Sequence, residues 1–96
     1  MYMRVTRARM DPSRIDDAVR QISQDVAAAI RGLPGCQSYT GGADRASGRS
    51  INVSTWDTEE HARWSAADAL GDIPAKLQAL GAQVDPPEIF EVTTPA

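Results

Sequence analysis

The sequence predicts an α+β fold whose strands and helices follow in the order β-α-β-β-α-β. An alternating apolar and polar segment opens the chain, and a long apolar stripe at helical spacing follows it. Two further alternating segments then flank a short run of turn formers, which indicates a hairpin. This order is that of the ferredoxin-like split β-α-β motif, an antiparallel sheet with helices on one face. At 96 residues, the chain is predicted to be one domain, residues 1–96.

The first strand is predicted over Tyr2 to Arg9. Side chains alternate between the two faces of a strand, so Met3 and Val5 share one face while Arg4 and Thr6 share the other. The first helix follows, with Asp11 as its cap, Pro12 at its first position and Gly32 at its end. Its apolar stripe is formed by Ile15, Ala18, Val19, Ile22, Val26, Ala29 and Ile30.

The second and third strands are predicted over residues 35–43 and 49–56, joined by the turn DRASG at residues 44–48. Asp57 is the expected cap of the next helix, with Glu60 completing a capping box. That register makes Trp56 and His61 neighbours in a hydrophobic staple.

The second helix is expected to run through Ala67 and to weaken at Gly71, before a further helical piece between Asp72 and Gly81. A last strand is expected within residues 84–94, delayed by two prolines, which are tolerated at strand starts and edges.

Composition excludes several classes of function. The net charge of −3 argues against a nucleic-acid or anionic-membrane partner, and no apolar run is long enough for a membrane span. The opening residues have no signal-peptide pattern, which favours a cytoplasmic location. A lone cysteine, Cys36, and a lone histidine exclude an internal disulfide and a His/Cys metal cluster. Neither a phosphate-binding glycine loop nor a Gly-x-Ser-x-Gly elbow is present.

The third strand carries the most informative pair of side chains, Asn52 and Trp56. They lie four residues apart on one face, whereas covered strands usually present aliphatic side chains there. The pair suggests a pocket for a flat, oxygen-rich ligand. Ile51 and Val53 occupy the opposite face, so both faces need cover, and a second copy of the sheet would provide it. The sequence therefore predicts a homodimer.

The chain resembles the antibiotic biosynthesis monooxygenase superfamily of dimeric α/β barrels. The resemblance lies in YMRVTRARMDPSRIDDAV, RGLPGCQSY, DRASGRSINVSTWDTEEHA and PPEIFEV, and their order and spacing cover almost the whole chain. In that family two sheets face one another, and each subunit keeps a pocket between its sheet and its helices.

The resemblance implies a cofactor-independent monooxygenase that oxidises a small phenolic, polyketide-like substrate to a quinone with molecular oxygen. Asn52 would hold the developing oxyanion and Trp56 would stack on the rings. Haem degradation, found in another branch, is not expected, because the first strand lacks an asparagine and His61 comes too early in its helix. A non-catalytic small-ligand binder with the same pocket is the alternative.

The remaining candidates each have two interpretations. His61 is either the general base or an exposed residue at a helix start. Trp64 and Tyr39 either line the substrate pocket or fill the core. Arg4 either binds an enolate or carboxylate of the substrate, or forms an ion pair at an interface. Asn52 itself is either catalytic or satisfied by a neighbour or by water, and Trp56 is in any case a packing residue.

Overall fold

A computed structural model describes residues 1–95 and contains one five-stranded antiparallel sheet. Its strands are β1 (Tyr2–Arg9), β2 (Cys36–Asp44), β3 (Arg49–Trp56), β4 (Gln83–Val84) and β5 (Glu88–Glu91). The sheet order is β2-β3-β1, with β4 and β5 both paired to the other side of β1. This is the predicted ferredoxin-like order, and β1 and β3 have the predicted bounds.

The register of the central strands fixes which side chains share the helix-covered face. β1 pairs with β3 so that Thr6 lies opposite Asn52 and Tyr2 opposite Trp56. β2 pairs with β3 so that Tyr39 lies opposite Ser54 and Gly41 opposite Asn52. Directly opposed residues point to the same face. The prediction that Asn52 and Trp56 share a face is therefore confirmed.

The first helical region begins where the sequence predicts. The Asp11 side chain accepts a hydrogen bond from the Ser13 amide at 2.9 Å, and Pro12 stands at the first helical position. The region consists of a 3₁₀ turn (Pro12–Arg14), α1 (Ile15–Gln21), a π-helical turn (Ile22–Val26) and α2 (Ala27–Arg31). Val26, Ala27 and Ile30 are buried against the sheet. The burial of Ala27, beside the π-helical turn, is not part of the predicted stripe.

The second helical region differs from the predicted continuous helix. It is divided into α3 (Glu59–Ala62), α4 (Ala66–Leu70) and α5 (Ile73–Ala79). The prediction that one helix runs through Ala67 is wrong, because Ser65 caps a new helix by accepting a hydrogen bond from the Asp68 amide.

The cap of α3 is also one residue later than predicted. Thr58, not Asp57, accepts the capping hydrogen bond, which the His61 amide donates at 3.1 Å. In this register Ala62, not His61, is the fourth residue of the helix. Ala62 is fully buried in the same cluster as Trp56. The staple register that joined Trp56 to His61 was therefore wrong.

The last strand is shorter than predicted and is split by Pro86 and Pro87. A proline has no amide hydrogen to donate to a strand partner, so the ladder stops at β4 and resumes at β5. No helix in residues 1–95 is long and apolar enough to cross a membrane.

The two faces of the sheet are covered unequally. All helices pack on the face that holds Trp56 and Tyr39. The opposite face, here called the open face, carries Met3, Val5, Ile51, Val53 and Phe90. Ile51 is 38% exposed and Phe90 is 46% exposed. An ion pair between Arg7 and Glu88 borders these apolar side chains.

Candidate functional site

A cavity of about 210 Å³, here called the inner cavity, lies between the sheet and the helices. The sheet contributes polar side chains, while the helical regions contribute mostly apolar ones. Among the polar or aromatic side chains that line it are Arg4, Thr6, Tyr39, Asn52, Ser54 and Trp64. A neighbouring cleft of about 340 Å³ shares part of its wall with the inner cavity, including Tyr39 and Asn52. Known ligand pockets have volumes of about 300–1,000 Å³, so the inner cavity is suited to a small ligand.

Asn52 stands on this shared wall with its side chain free. The residue is half-buried, and its carboxamide makes no hydrogen bond to another side chain or to the backbone within residues 1–95. A half-buried carboxamide that faces a cavity and has no protein partner is available to a ligand or to water. The interpretation in which a neighbouring residue satisfies Asn52 is therefore not supported, because no described residue forms a hydrogen bond with its side chain.

Gly41 makes room for the Asn52 side chain. The two residues are direct partners across β2 and β3. A Cβ atom placed on Gly41 would lie 2.8 Å from Oδ1 of Asn52, which is closer than such atoms approach. A side chain at position 41 would therefore displace the carboxamide. This role of Gly41 was not predicted, although alternation along β2 places Gly41 on the same face as Tyr39.

Trp56 supports the site from behind rather than lining it. The residue is 0% exposed, and its indole nitrogen donates a hydrogen bond to Ser54 Oγ at 2.8 Å. Its ring lies against that of Trp64, with centroids 6.4 Å apart and planes inclined at 43°. Trp64 is the tryptophan that lines the inner cavity. A ligand in this cavity would therefore contact Trp64, with Trp56 packed behind it.

Arg4 is a buried cation held by neutral groups. The residue is 8% exposed, and its Nη1 donates hydrogen bonds to the carbonyls of Ala62, at 3.1 Å, and Trp64, at 2.6 Å. The guanidinium carbon lies 3.9 Å from the centroid of the Trp64 ring, in cation–π geometry. Ala62 ends α3, and Trp64 lies in the break between α3 and α4. By binding both carbonyls, Arg4 holds the Trp64 backbone, and with it the ring, at this break.

The charge of Arg4 has no acidic partner among residues 1–95. Every ion pair found there involves other residues, and Arg4 Nε has no hydrogen-bond partner. Burial lowers the pKa of Arg4, yet an arginine keeps its proton in a protein. Removing an ion from water without a counter-ion costs several kcal/mol of free energy, and a bound anion would offset a cost of that size. Arg4 is thus the main source of positive charge inside the protein.

Tyr39 is a neutral hydrogen-bonding group at neutral pH. The residue is 9% exposed and lines both the inner cavity and the cleft. Burial raises the pKa of its phenol to about 12, against a smaller opposite effect of Arg31. At neutral pH it can therefore donate a hydrogen bond to a ligand, but it does not supply a phenolate base.

His61 lies away from the inner cavity. Its Nδ1 is 2.6 Å from Oδ1 of Asp57, and both side chains are well exposed. The hydrogen bond to His61 is the main reason that the pKa of Asp57 is lowered. Of the six predicted site residues, the structure brings together Arg4, Tyr39, Asn52 and Trp64. It places Trp56 behind Trp64 and leaves His61 outside the lining, and the catalytic roles of these two remain predictions.

Within residues 1–95, neither the thiol nor a metal-binding cluster lies at the inner cavity. Cys36 is partly buried, and burial raises the pKa of its thiol, as expected for a small apolar residue. Within residues 1–95 no three His, Cys, Asp or Glu side chains lie close enough together to hold a metal ion. The donors at the inner cavity are amides, hydroxyls, the Trp64 indole and the guanidinium groups of Arg4 and Arg9, a set suited to an organic ligand bearing oxygen atoms.

Comparison with known proteins gives matches at the level of structure only. No protein-family model matches the chain, and no curated protein matches it by sequence. In contrast, 57 chains of solved structure are similar to it. A protein of Deinococcus radiodurans assigned to the antibiotic biosynthesis monooxygenases has a TM-score of 0.81 at 15% identity, with 100% of this chain and 96% of that one covered.

Two further neighbours bear on chemistry and assembly. SnoaB of Streptomyces nogalater, a cofactor-independent oxygenase, has a TM-score of 0.63 at 18% identity and covers 98% of this chain and 94% of its own. A dimeric ferredoxin-like protein from an uncultured marine organism has a TM-score of 0.74 at 10% identity, covering 100% of this chain and 98% of its own. The chain therefore has the ferredoxin-like fold of these solved structures, several of which are antibiotic biosynthesis monooxygenases, and the predicted fold is confirmed.

Proposed function

We propose that this protein is a cofactor-independent monooxygenase that oxidises a small phenolic aromatic molecule to a quinone in the inner cavity. The observation that carries the proposal is the free carboxamide of Asn52 on the wall of that cavity. The likeness to SnoaB, a cofactor-independent oxygenase, supports the reaction class. Because fold does not fix function, the chemistry rests on the site and on its test.

The reaction begins with loss of a proton from the substrate to give an electron-rich phenolate or enolate. In this proposal the substrate gives its proton to solvent before the cavity encloses it, since His61 lies outside the cavity and Tyr39 is a neutral phenol. The carbanionic carbon of the anion transfers electrons to O₂, and a carbon–oxygen bond forms to give a hydroperoxide. Loss of water from the hydroperoxide leaves a carbonyl. For an anthrone the balance is one anthrone and one O₂ giving one anthraquinone and one water.

The cavity residues act on the anion and on its orientation. The Asn52 amide donates a hydrogen bond to the oxygen on the substrate ring that reacts with O₂, where negative charge develops, and such a donor typically contributes 10²–10³ in kcat. Trp64 forms an aromatic wall, and Trp56 holds it in place from behind. The apolar helical side chains exclude water, which strengthens the interactions of the anion with its donors.

The test is oxygen consumption by metal-free protein supplied with anthrones and dihydroxynaphthalenes. Wild type is expected to consume O₂, and Asn52→Ala is expected to lose about 10²–10³ of the rate while still binding the substrate. Gln24→Ala is the matched control, because it also removes a carboxamide, but from an exposed position on the first helix. Equal rates in wild type and Asn52→Ala would refute the assigned role. Binding without O₂ uptake for any substrate would favour the non-catalytic ligand binder.

We also propose that two copies pair through their open faces. The partly exposed apolar side chains of that face support this arrangement, as does the dimeric state of the marine ferredoxin-like neighbour. A second sheet would cover Ile51, Val53 and Phe90 and leave both inner cavities accessible from the helical side.

A further inference from the structure

The inner cavity holds a positive charge that the protein itself does not neutralise. Arg4 is 8% exposed, lines the cavity and forms no ion pair with any described residue. Buried arginines in proteins are usually paired with a carboxylate, because an isolated buried charge is costly. The cost is tolerated where the charge serves a ligand that brings the missing negative group.

Part of the Arg4 side chain has a structural role, and part of it does not. Nη1 donates to the carbonyls of Ala62 and Trp64, which ties the end of α3 to the sheet. That role occupies one nitrogen. Nε has no partner, and no hydrogen bond joins Nη2 to the described residues. The guanidinium therefore keeps donors beyond those that its structural role uses.

A second unpartnered donor lies next to Arg4. The indole nitrogen of Trp64 is buried and has no hydrogen-bond partner within residues 1–95. The Trp64 ring lies under the guanidinium, with 3.9 Å between the ring centroid and the guanidinium carbon. Two adjacent lining residues thus each hold a buried N–H without an acceptor. Such a pair is rare in folded proteins and requires an explanation.

The other charged residues of the cavity lie at its opposite end and are exposed. Among the described lining residues these are Arg9, which pairs with Gln83 at the end of β1, and Asp85, the only carboxylate. Their opposite charges offset one another in solvent. Arg4 lies at the other part of β1, opposite Ser54 and Ile89, and is the lining cation that is buried. An anionic group inside the cavity is therefore attracted most strongly to Arg4.

From these observations we infer that the inner cavity binds an aromatic oxyanion, a ring-borne phenolate or carboxylate, with its negative oxygen at Arg4 and Trp64. This rests on the proposed function only in placing the ligand in the same cavity, and it narrows the substrate class to molecules bound as anions. Asn52 and Arg4 then have separate tasks, since Arg4 selects the charged ligand and Asn52 acts on the oxygen at the reacting ring.

The test compares two ligands of equal shape and different charge, 2-naphthoate and 2-naphthamide, with dissociation constants measured by calorimetry. Wild type is expected to bind the acid roughly 10- to 100-fold more tightly than the amide. Arg4→Met should bring this ratio close to one, and Arg4→Lys should keep a preference of intermediate size. Arg20→Met, which removes an exposed charge from the first helix, should keep the wild-type ratio. The ratio within one variant cancels any general damage to the cavity.

A wild-type ratio near one, or an unchanged ratio in Arg4→Met, would exclude the carboxylate arm. A second readout uses wild type alone, in case Arg4→Met does not fold. The pKa of bound 4-nitrophenol, read from phenolate absorbance, should fall below that of the free phenol, and no fall would exclude the phenolate arm. Loss of both arms refutes the inference, whereas one positive arm identifies the group that is bound. Neither readout involves O₂ uptake, so failure here is distinct from failure of the oxygenase proposal.

Discussion

At the scale of single residues, the site depends on which side chains keep free hydrogen-bonding groups in the inner cavity. Alternation along β3 predicted that Asn52 and Trp56 share the covered face, and the register confirms it. Alternation did not predict that Trp56 is fully buried behind Trp64. How deeply a side chain on the covered face is buried depends on the helix that packs over it. It also could not show that Arg4 lacks a counter-ion, since that depends on every neighbouring element.

Gly41 gives a sharp test of the Asn52 carboxamide at this scale. In Gly41→Ala the new Cβ would meet Asn52 Oδ1 at 2.8 Å, and the flexible side chain is displaced rather than the backbone. Substrate oxidation is expected to fall by roughly tenfold or more towards the Asn52→Ala rate, since a misplaced oxyanion donor loses most of its effect. The free energy of unfolding should change by less than about 1 kcal/mol.

Gly42→Ala is the matched control for this prediction. Its new Cβ lies on the open face, 3.7 Å from the Ile51 side chain, an ordinary contact. The test compares the steady-state rates of substrate oxidation by the two variants, with urea unfolding as the measure of their stability. A Gly41→Ala protein that keeps the full rate would mean that the carboxamide position is not important.

At the scale of elements, the chain shows where local sequence signals succeed and where tertiary contacts override them. Asp11 and Pro12 predicted the first helix start, and the Asp11 cap is present. The second helical region was wrongly predicted to begin with one continuous helix, because its apolar residues keep their helical spacing across the break between α3 and α4. Arg4, from a strand distant in sequence, takes the carbonyls of Ala62 and Trp64, and Ser65 then caps α4. No local pattern contains that long-range contact.

The corrected cap of α3 predicts a difference between two adjacent substitutions. Thr58→Ala removes the acceptor of the His61 amide and should cost about 1 kcal/mol of unfolding free energy. Asp57→Ala removes only a solvent-exposed side-chain contact with His61 and should cost less. Urea unfolding of both variants at one pH measures the difference, and a larger loss in Asp57→Ala would restore the cap that the sequence suggested.

At the scale of the whole molecule, the order of strands and helices could be predicted from sequence, because each element has its own hydrophobic periodicity and its own turn or capping residues at its ends. The same pattern gave two apolar faces on β3 and therefore the expectation of a dimer. The structure shows one of those faces packed under helices and the other, with Ile51 and Phe90, partly exposed. The inner cavity was not predictable in size, since its volume depends on the three-part second helical region.

The dimer prediction is tested by placing a charge on the open face. Wild type should sediment at about twice the monomer mass of 10.3 kDa. Val53→Lys should shift the population to monomer, because an interface core does not accommodate an unpaired lysine. Val84→Lys is the control, since Val84 is already 51% exposed and lies on the helical side of the sheet. A monomeric wild type at micromolar concentration would refute pairing through the open face.

The central claim is that O₂ reacts with an anionic aromatic substrate at Asn52 without a cofactor, and the most direct measurement of it is isotope incorporation. Metal-free protein is incubated with an anthrone under ¹⁸O₂ and the quinone is analysed by mass spectrometry after brief reaction. The account predicts one labelled oxygen in each new quinone, formed at a rate about 10²–10³ lower in Asn52→Ala. Unlabelled quinone, or labelled quinone formed equally fast by the variant, would contradict it.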